Sequence, residues 1–178
     1  MEAQLLVRPI EKADIPQLVN YWMNASSEYL VGMGVDLDKM PDRGSLTKML
    51  EKQIELDIRE KPSYALIWDV DGVPSGHCNV NNIVYAEEAQ MHLHLWHSGK
   101  RKSGLGTKLV RMSVARFFKD LQLQRLWCEP YALNPAPHRV LEKAGFQFIK
   151  EYKTIPGSIN FEQNVKQWRM LKEAILDD

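Results

Sequence analysis

The chain has 178 residues, with 23 Lys and Arg against 23 Asp and Glu. That length suits one domain with its own core, and the balanced charge gives no support for a nucleic-acid or membrane-surface role. Two well-separated cysteines, Cys78 and Cys128, imply neither a disulfide framework nor a CxxC metal site and suit a reducing cytoplasm.

Leu5 to Ile10 reads as a first strand. Asp14 is placed to cap a helix with Pro16 in its first turn and with Ile15, Leu18, Val19, Trp22 and Met23 on one face. Gly32, Gly34, Pro41 and Gly44 mark a long irregular connection. A second helix is expected from Ser45, with Leu46, Met49, Leu50, Ile54 and Ile58 as its apolar stripe and Pro62 as its end. Tyr64 to Val70 is a strand, followed by an Asp71-Gly72 turn. Gly76 to Val84 and Ala89 to His97 are two more strands, and a loop leads into a helix ending near Leu121. Arg125 to Tyr131 is a strand, Asn134 to Ala144 a helix stopped by Gly145, and Phe146 to Tyr152 and Val165 to Leu171 the last strands. The pattern predicts a single α/β domain over residues 1–178. It has a mixed sheet of about seven strands, with helices on both faces. The opening residues do not read as a signal peptide, and no apolar stretch approaches the roughly 18 residues of a membrane span.

One loop carries a chemical signal: Arg101-Lys102-Ser103-Gly104-Leu105-Gly106, between a strand and a helix. Its glycines permit close backbone approach, and a helix N-terminus offers free N–H groups and a positive dipole end. With Lys100 alongside, the segment suits a pyrophosphate, although a solvated basic turn has the same composition. It is not a Walker loop, because no Gly-Lys-Ser/Thr opens the helix. It is not a Rossmann fingerprint, because Leu109 stands at the third glycine.

This loop resembles the R/Q-x-x-G-x-G/A acyl-CoA loop of the GNAT N-acetyltransferase superfamily. The segment Asn134-Pro135-Ala136-Pro137-His138-Arg139-Val140-Leu141-Glu142-Lys143-Ala144-Gly145-Phe146 is similar to that family's N-x-x-(S/A)-x-x-(V/L)-x-E-K-x-G-F helix. The match is closest to the branch that acetylates ribosomal-protein N-termini. The resemblance implies that acetyl-CoA is the cosubstrate. Arg101, Lys102, Ser103, Gly104, Leu105, Gly106 and Thr107 would then hold the pyrophosphate, and Trp96 and Asn134 the rest of the cofactor. The strand ending at His97 would splay from the strand at Trp127 to Tyr131 and receive the pantetheine arm.

Amine attack on a thioester needs a base for the ammonium proton and an acid for the thiolate. The family's tyrosine acid falls at Leu141 and the ribosomal branch's serine at Pro137, so neither hydroxyl is present. His138 is the candidate acid beside them. On the alternating strand Gln90 to Trp96, Met91, Leu93 and Leu95 face the core, whereas His92 and His94 share the other face. His92 and His94 are candidate bases, and Glu129 is a third; each is also an ordinary structural residue. His92-x-His94 with His97 is not expected to bind metal, because His97 lies on the opposite face. The expected acceptor is a small-molecule or peptide amine, with no nucleic-acid or membrane partner, and a homodimer stays open. Asp36, Asp38, Asp42, Glu87 and Glu88 are loop acids that could approach a cation, or simply be solvated. The alternative to catalysis is an acyl-CoA-binding sensor of the same fold.

Overall fold

A computed structural model describes residues 3–96 and 104–176. Seven strands, β1 (Leu5–Pro9), β2 (Ser63–Val70), β3 (Val73–Val84), β4 (Glu88–Leu95), β5 (Arg125–Cys128), β6 (Gln147–Thr154) and β7 (Gln163–Leu171), form one sheet. Its order is β1-β2-β3-β4-β5-β7-β6. Every neighbouring pair is antiparallel except β4 and β5. The helices are α1 (Ile15–Met23), α2 (Ser27–Gly32), α3 (Arg43–Glu55), α4 (Leu105–Leu121), α5 (Pro135–Ala144) and the short α6 (Glu173–Leu176).

Alternation along β2 divides the core in two. Tyr64, Leu66, Trp68 and Val70 join α4 and α5 residues, including Leu109, Phe117, Leu121 and Leu141, on one face. Ala65 and Ile67 meet Ile15, Leu18, Val19, Leu46 and Leu50 from α1 and α3 on the other. Burying such a side chain contributes about 1.5–3 kcal/mol, so both helical layers are anchored by this strand. The polar groups in β2's first layer are satisfied: the Tyr64 hydroxyl donates to Asp120 Oδ2 at 2.7 Å. Trp68 Nε1–H donates to Ser113 Oγ at 2.8 Å, and that hydroxyl donates to Leu109 O at 2.9 Å.

Local structure departs from expectation in four places. Asp14 does not cap α1 with its side chain. It receives Arg8 Nη1 and Nη2 at 2.7 and 2.8 Å and the Glu11 N–H at 2.8 Å, fastening β1 to the turn before the helix. The connection after α1 contains α2, whose N-cap Ser26 accepts the Tyr29 N–H. α3 begins at Arg43 rather than Ser45, because Asp42 supplies the cap by accepting the Ser45 N–H. It ends at Glu55, before Ile58 and Pro62, and Met49 is 53% exposed. Gln53 is buried in its place, and its Oε1 accepts the Ala65 N–H at 2.7 Å.

Candidate active site

β4, α4 and β5 form a parallel crossover unit. The N-termini of α4 and of α5 therefore lie at the carboxyl ends of β4 and β5, where ligands of open α/β sheets collect. The ladder between these strands is short. It runs from Glu88–Arg125 to Met91–Cys128 and stops, while β4 continues to Leu95 with no β5 residue opposite. The expected splay is present, and a cleft opens in it. Met91, Leu93 and Cys128 line its depth, and Glu129, Tyr131 and Asn134 are among its wall residues.

Asn134 stands at the N-cap of α5, yet its side chain makes no cap hydrogen bond. A residue whose type favours capping has its amide left over at the cleft wall. Gly104 precedes α4 with φ +78°, a backbone that side chains rarely adopt, and an added Cβ there would meet nothing within 4 Å. At Gly106 the nearest atom to an added Cβ is Val140 Cγ2 at 3.9 Å, so the first turn of α4 is open and lies beside α5. Leu105 and Thr107 occupy that same turn, half-buried. Arg101, Lys102 and Ser103 lie outside the described residues, as does His97. The open helix start, the parted strands and the unused Asn134 amide fit a pyrophosphate followed by an extended amide-bearing arm.

His92 and His94 share one face of β4, opposite the core-facing Met91. His92 Nε2 and Asn81 Oδ1 are hydrogen-bonded at 3.2 Å. His94 Nδ1 shares a hydrogen bond with the Tyr21 hydroxyl at 3.1 Å and stacks on His77, its partner across β3, with ring centres 4.7 Å apart. Burial lowers the pKa of His92 to about 4 and drives that of His94 well below its ordinary value. Both rings are therefore neutral at neutral pH and able to take a proton, although weakly. Trp96 donates its indole N–H to His77 Nδ1 at 2.8 Å and packs with the α1 and α3 layer, so its side chain is held away from the cleft wall.

Glu129 follows β5 directly. Its Oε1 accepts the Tyr152 hydroxyl at 2.5 Å and Gln167 Nε2 at 2.6 Å, and its Oε2 accepts Gln90 Nε2 at 3.3 Å. Gln90, which cannot itself be a base, thus helps to orient a carboxylate that can. His138 is not available as an acid. Its Nδ1 accepts the Trp168 indole N–H at 3.1 Å and its Nε2–H donates to Tyr131 O at 3.0 Å, so the neutral ring has no proton left for the cleft. Burial lowers its pKa as well. Leu141 is fully buried. Tyr131, which the sequence did not single out, carries the one hydroxyl among the described lining residues. Its only sequence signal is its place two residues after Glu129, on a strand end already suspected. The loop acids are engaged elsewhere: Asp36 pairs with Lys39, Asp42 caps α3, and Glu87 and Glu88 bind Arg125. Among the described residues no group of three or more His, Cys, Asp or Glu is arranged to hold a metal ion, and no helix is long and apolar enough to cross a membrane.

Three solved structures illustrate the likeness. RimL, a ribosomal L7/L12 alpha-N-protein acetyltransferase in complex with coenzyme A, superposes with a TM-score of 0.77 at 13% identity, over 96% of this chain and 95% of that one. Spermidine N-acetyltransferase from Vibrio cholerae, in complex with CoA and spermine, gives 0.78 at 18% identity, over 97% and 98%. The aminoglycoside acetyltransferase AAC(6')-Ib in complex with coenzyme A gives 0.73 at 17%, over 98% of each chain. At these identities the likeness is one of fold. No curated protein sequence matches the chain. The family model for the acetyltransferase (GNAT) domain matches residues 4–147, and the chain belongs to the GNAT acetyltransferase family.

Proposed function

We propose that this protein transfers an acetyl group from acetyl-CoA to a primary amine of a small molecule or a protein N-terminus, in a reducing cytoplasm. The observation that carries the reading is the cleft where β4 and β5 part after Met91 and Cys128, walled by Asn134, Glu129 and two neutral histidines. Backbone N–H groups from Lys102 to Gly106 would bind the pyrophosphate, with Thr107 beside them, and the Asn134 amide would hold the pantetheine arm. The bound cosubstrate supplies a thioester carbonyl carbon for the amine to attack.

The residues of the wall manage the protons. An alkylammonium with a pKa near roughly 10 must lose one before its nitrogen can attack. Glu129, His92 and His94 are the candidates to receive it, directly or through water. Among the described residues His92 keeps Nδ1 and His94 keeps Nε2 without a partner, which supports either ring in this role. Tyr131 is the candidate to return a proton to the departing sulfur. It has the one hydroxyl among the described lining residues and would stand in for the family's missing tyrosine and serine.

The test is amine-dependent thiol release. Acetyl-CoA mixed with the protein and a primary amine should give free CoA well above the hydrolysis seen without amine, and Tyr131→Phe should slow it while leaving acetyl-CoA affinity in place. Thiol release that never depends on amine overturns the reading.

A further inference from the structure

The cleft wall is poor in charge. Among its described residues Glu129 carries the one carboxyl group, and none is Lys or Arg. The other polar groups are the amides of Asn134, Asn160 and Gln163, the Tyr131 hydroxyl, and the His92 and His94 rings, which burial keeps neutral. The remainder is apolar, with Met33, Leu93, Pro130, Pro137 and Pro156.

The Glu129 carboxylate is fixed by Tyr152, Gln167 and Gln90, all neutral donors. None of the ion pairs among the described residues includes it. The carboxyl group is oriented but has no cationic partner among the described residues, which leaves it open to an ammonium. The acids flanking the cleft do not extend this charge. Asp36 is paired with Lys39 at 3.4 Å and Glu162 with Lys153 at 2.6 Å. A second group also asks for a donor. Gln163 is 4% exposed, and its Nε2 donates to Gly34 O at 2.8 Å and Phe161 O at 3.0 Å. Those two bonds fix the amide's orientation and leave Oε1 buried without a partner.

We propose that the acceptor is a monocationic amine with an uncharged body, bound by its ammonium on Glu129, and that polyamines and aminoglycosides are discriminated against because the described wall residues include no second carboxylate. This rests on the transferase reading above. The ammonium pairs with Glu129 and loses a proton to a base. Its nitrogen bonds the acyl carbon and sheds its second proton as the carbon–sulfur bond breaks, and the sulfur takes a proton through the Tyr131 hydroxyl and leaves as a thiol. The product amide is uncharged, so its attraction to Glu129 is gone and release is favoured. A second or third ammonium would have to shed water against proline and methionine with only neutral polar groups, and no second carboxylate among the described residues, to receive it.

The experiment is steady-state kinetics with acetyl-CoA and two sets of acceptors. One set holds monoamines: phenethylamine and C-terminally amidated peptides with uncharged side chains. The other holds spermidine, spermine and kanamycin. The best monoamine should exceed every polycation in kcat/KM by about tenfold or more, the scale of one charge-assisted contact. Glu129→Gln should raise the KM of that monoamine by a similar factor with acetyl-CoA affinity unchanged, and Glu129→Asp, which keeps the charge, should recover part of it. A polycation as best acceptor overturns the proposal, as does an unchanged KM in Glu129→Gln. Absence of turnover with every amine in both sets overturns the transferase reading itself, and the charge rule falls with it.

Discussion

Met91 and Cys128 are the last residues to pair between β4 and β5. Everything assigned to the site follows from that stop. Had the ladder continued, the carboxyl ends of the two parallel strands would be closed by their own hydrogen bonds. Because it ends, Asn134 and Glu129 from one side face His92 and His94 from the other.

Glycine in the first turn of α4 predicts a steric and electrostatic test of cofactor binding. Gly106→Asp adds a carboxylate where there is open space and only Val140 nearby, so the fold should survive. Acetyl-CoA binding should be lost, because the new charge repels phosphate at the helix start. Gly104→Asp should lose binding too, with an added backbone cost of about 1–2 kcal/mol from its left-handed φ. Calorimetric titration beside thermal melting reads both; unchanged affinity in both variants removes the phosphate site from α4.

Asn134→Ala separates capping from cofactor binding. The Asn134 side chain makes no cap bond, so its loss should leave the melting temperature nearly unchanged. Affinity for acetyl-CoA should fall by about 1–3 kcal/mol, the cost of leaving a buried partner unpaired. A variant with lower melting temperature and normal affinity would show that the residue serves the helix instead.

The histidines predict a pH signature. The His92 pKa is lowered from 6.5 to about 4 in the folded protein by burial. Between those values the unfolded chain binds more protons than the folded one, so stability falls as pH drops from about 6.5 toward about 4. His94 and His77, lowered in the same direction by burial, add to this loss. Melting temperature followed across that range should fall less steeply in His92→Gln than in the parent protein. The same depression means that a rise in rate near pH 6.5 is not expected from either cleft histidine in the free enzyme. If one of them is the base, His92→Gln or His94→Gln should lower kcat by about 10²–10⁴ with acetyl-CoA binding retained. If neither does, Glu129 is the next candidate base to test.

The cleft roof depends on one glycine. Gly34 has φ +87°, and an added Cβ would overlap the Gln163 amide. Its carbonyl accepts from Asn160 Nδ2 and Gln163 Nε2, both at 2.8 Å, tying the chain after α2 to the β6–β7 connection. Gly34→Ala should cost more than the about 1–2 kcal/mol of the left-handed backbone alone. It should also raise acceptor KM more than acetyl-CoA Kd. Thermal melting and the two constants check this. An equal effect on both ligands would mean that the roof is not part of the acceptor side.

What the sequence made legible was local. Alternation in Gln90 to Trp96 assigned the faces of β4 correctly, and Asn134 to Gly145 declared a helix with both its ends. It could not show that Trp168, 30 residues beyond His138, occupies that ring, since the two meet only when β7 packs beside α5. The donors that orient Glu129 come from β4, β6 and β7, and no spacing rule joins them. The stretch from Ser27 to Gly32 forms a helix although glycine ends it, because Ser26 caps it and Leu30 finds a buried site. Asp14 looked like a helix cap, but a guanidinium brought by β1 is a stronger partner than a backbone N–H.

The central claim is transfer of acetyl to an amine, and the most direct measurement follows the acetyl group itself. Acetyl-CoA labelled in its acetyl carbons is incubated with the protein and a panel of primary amines and peptides, and the label is located by mass spectrometry. The account predicts label on the nitrogen of at least one acceptor, with CoA released in equal amount. Tight acetyl-CoA binding with no labelled amine anywhere in the panel would contradict it.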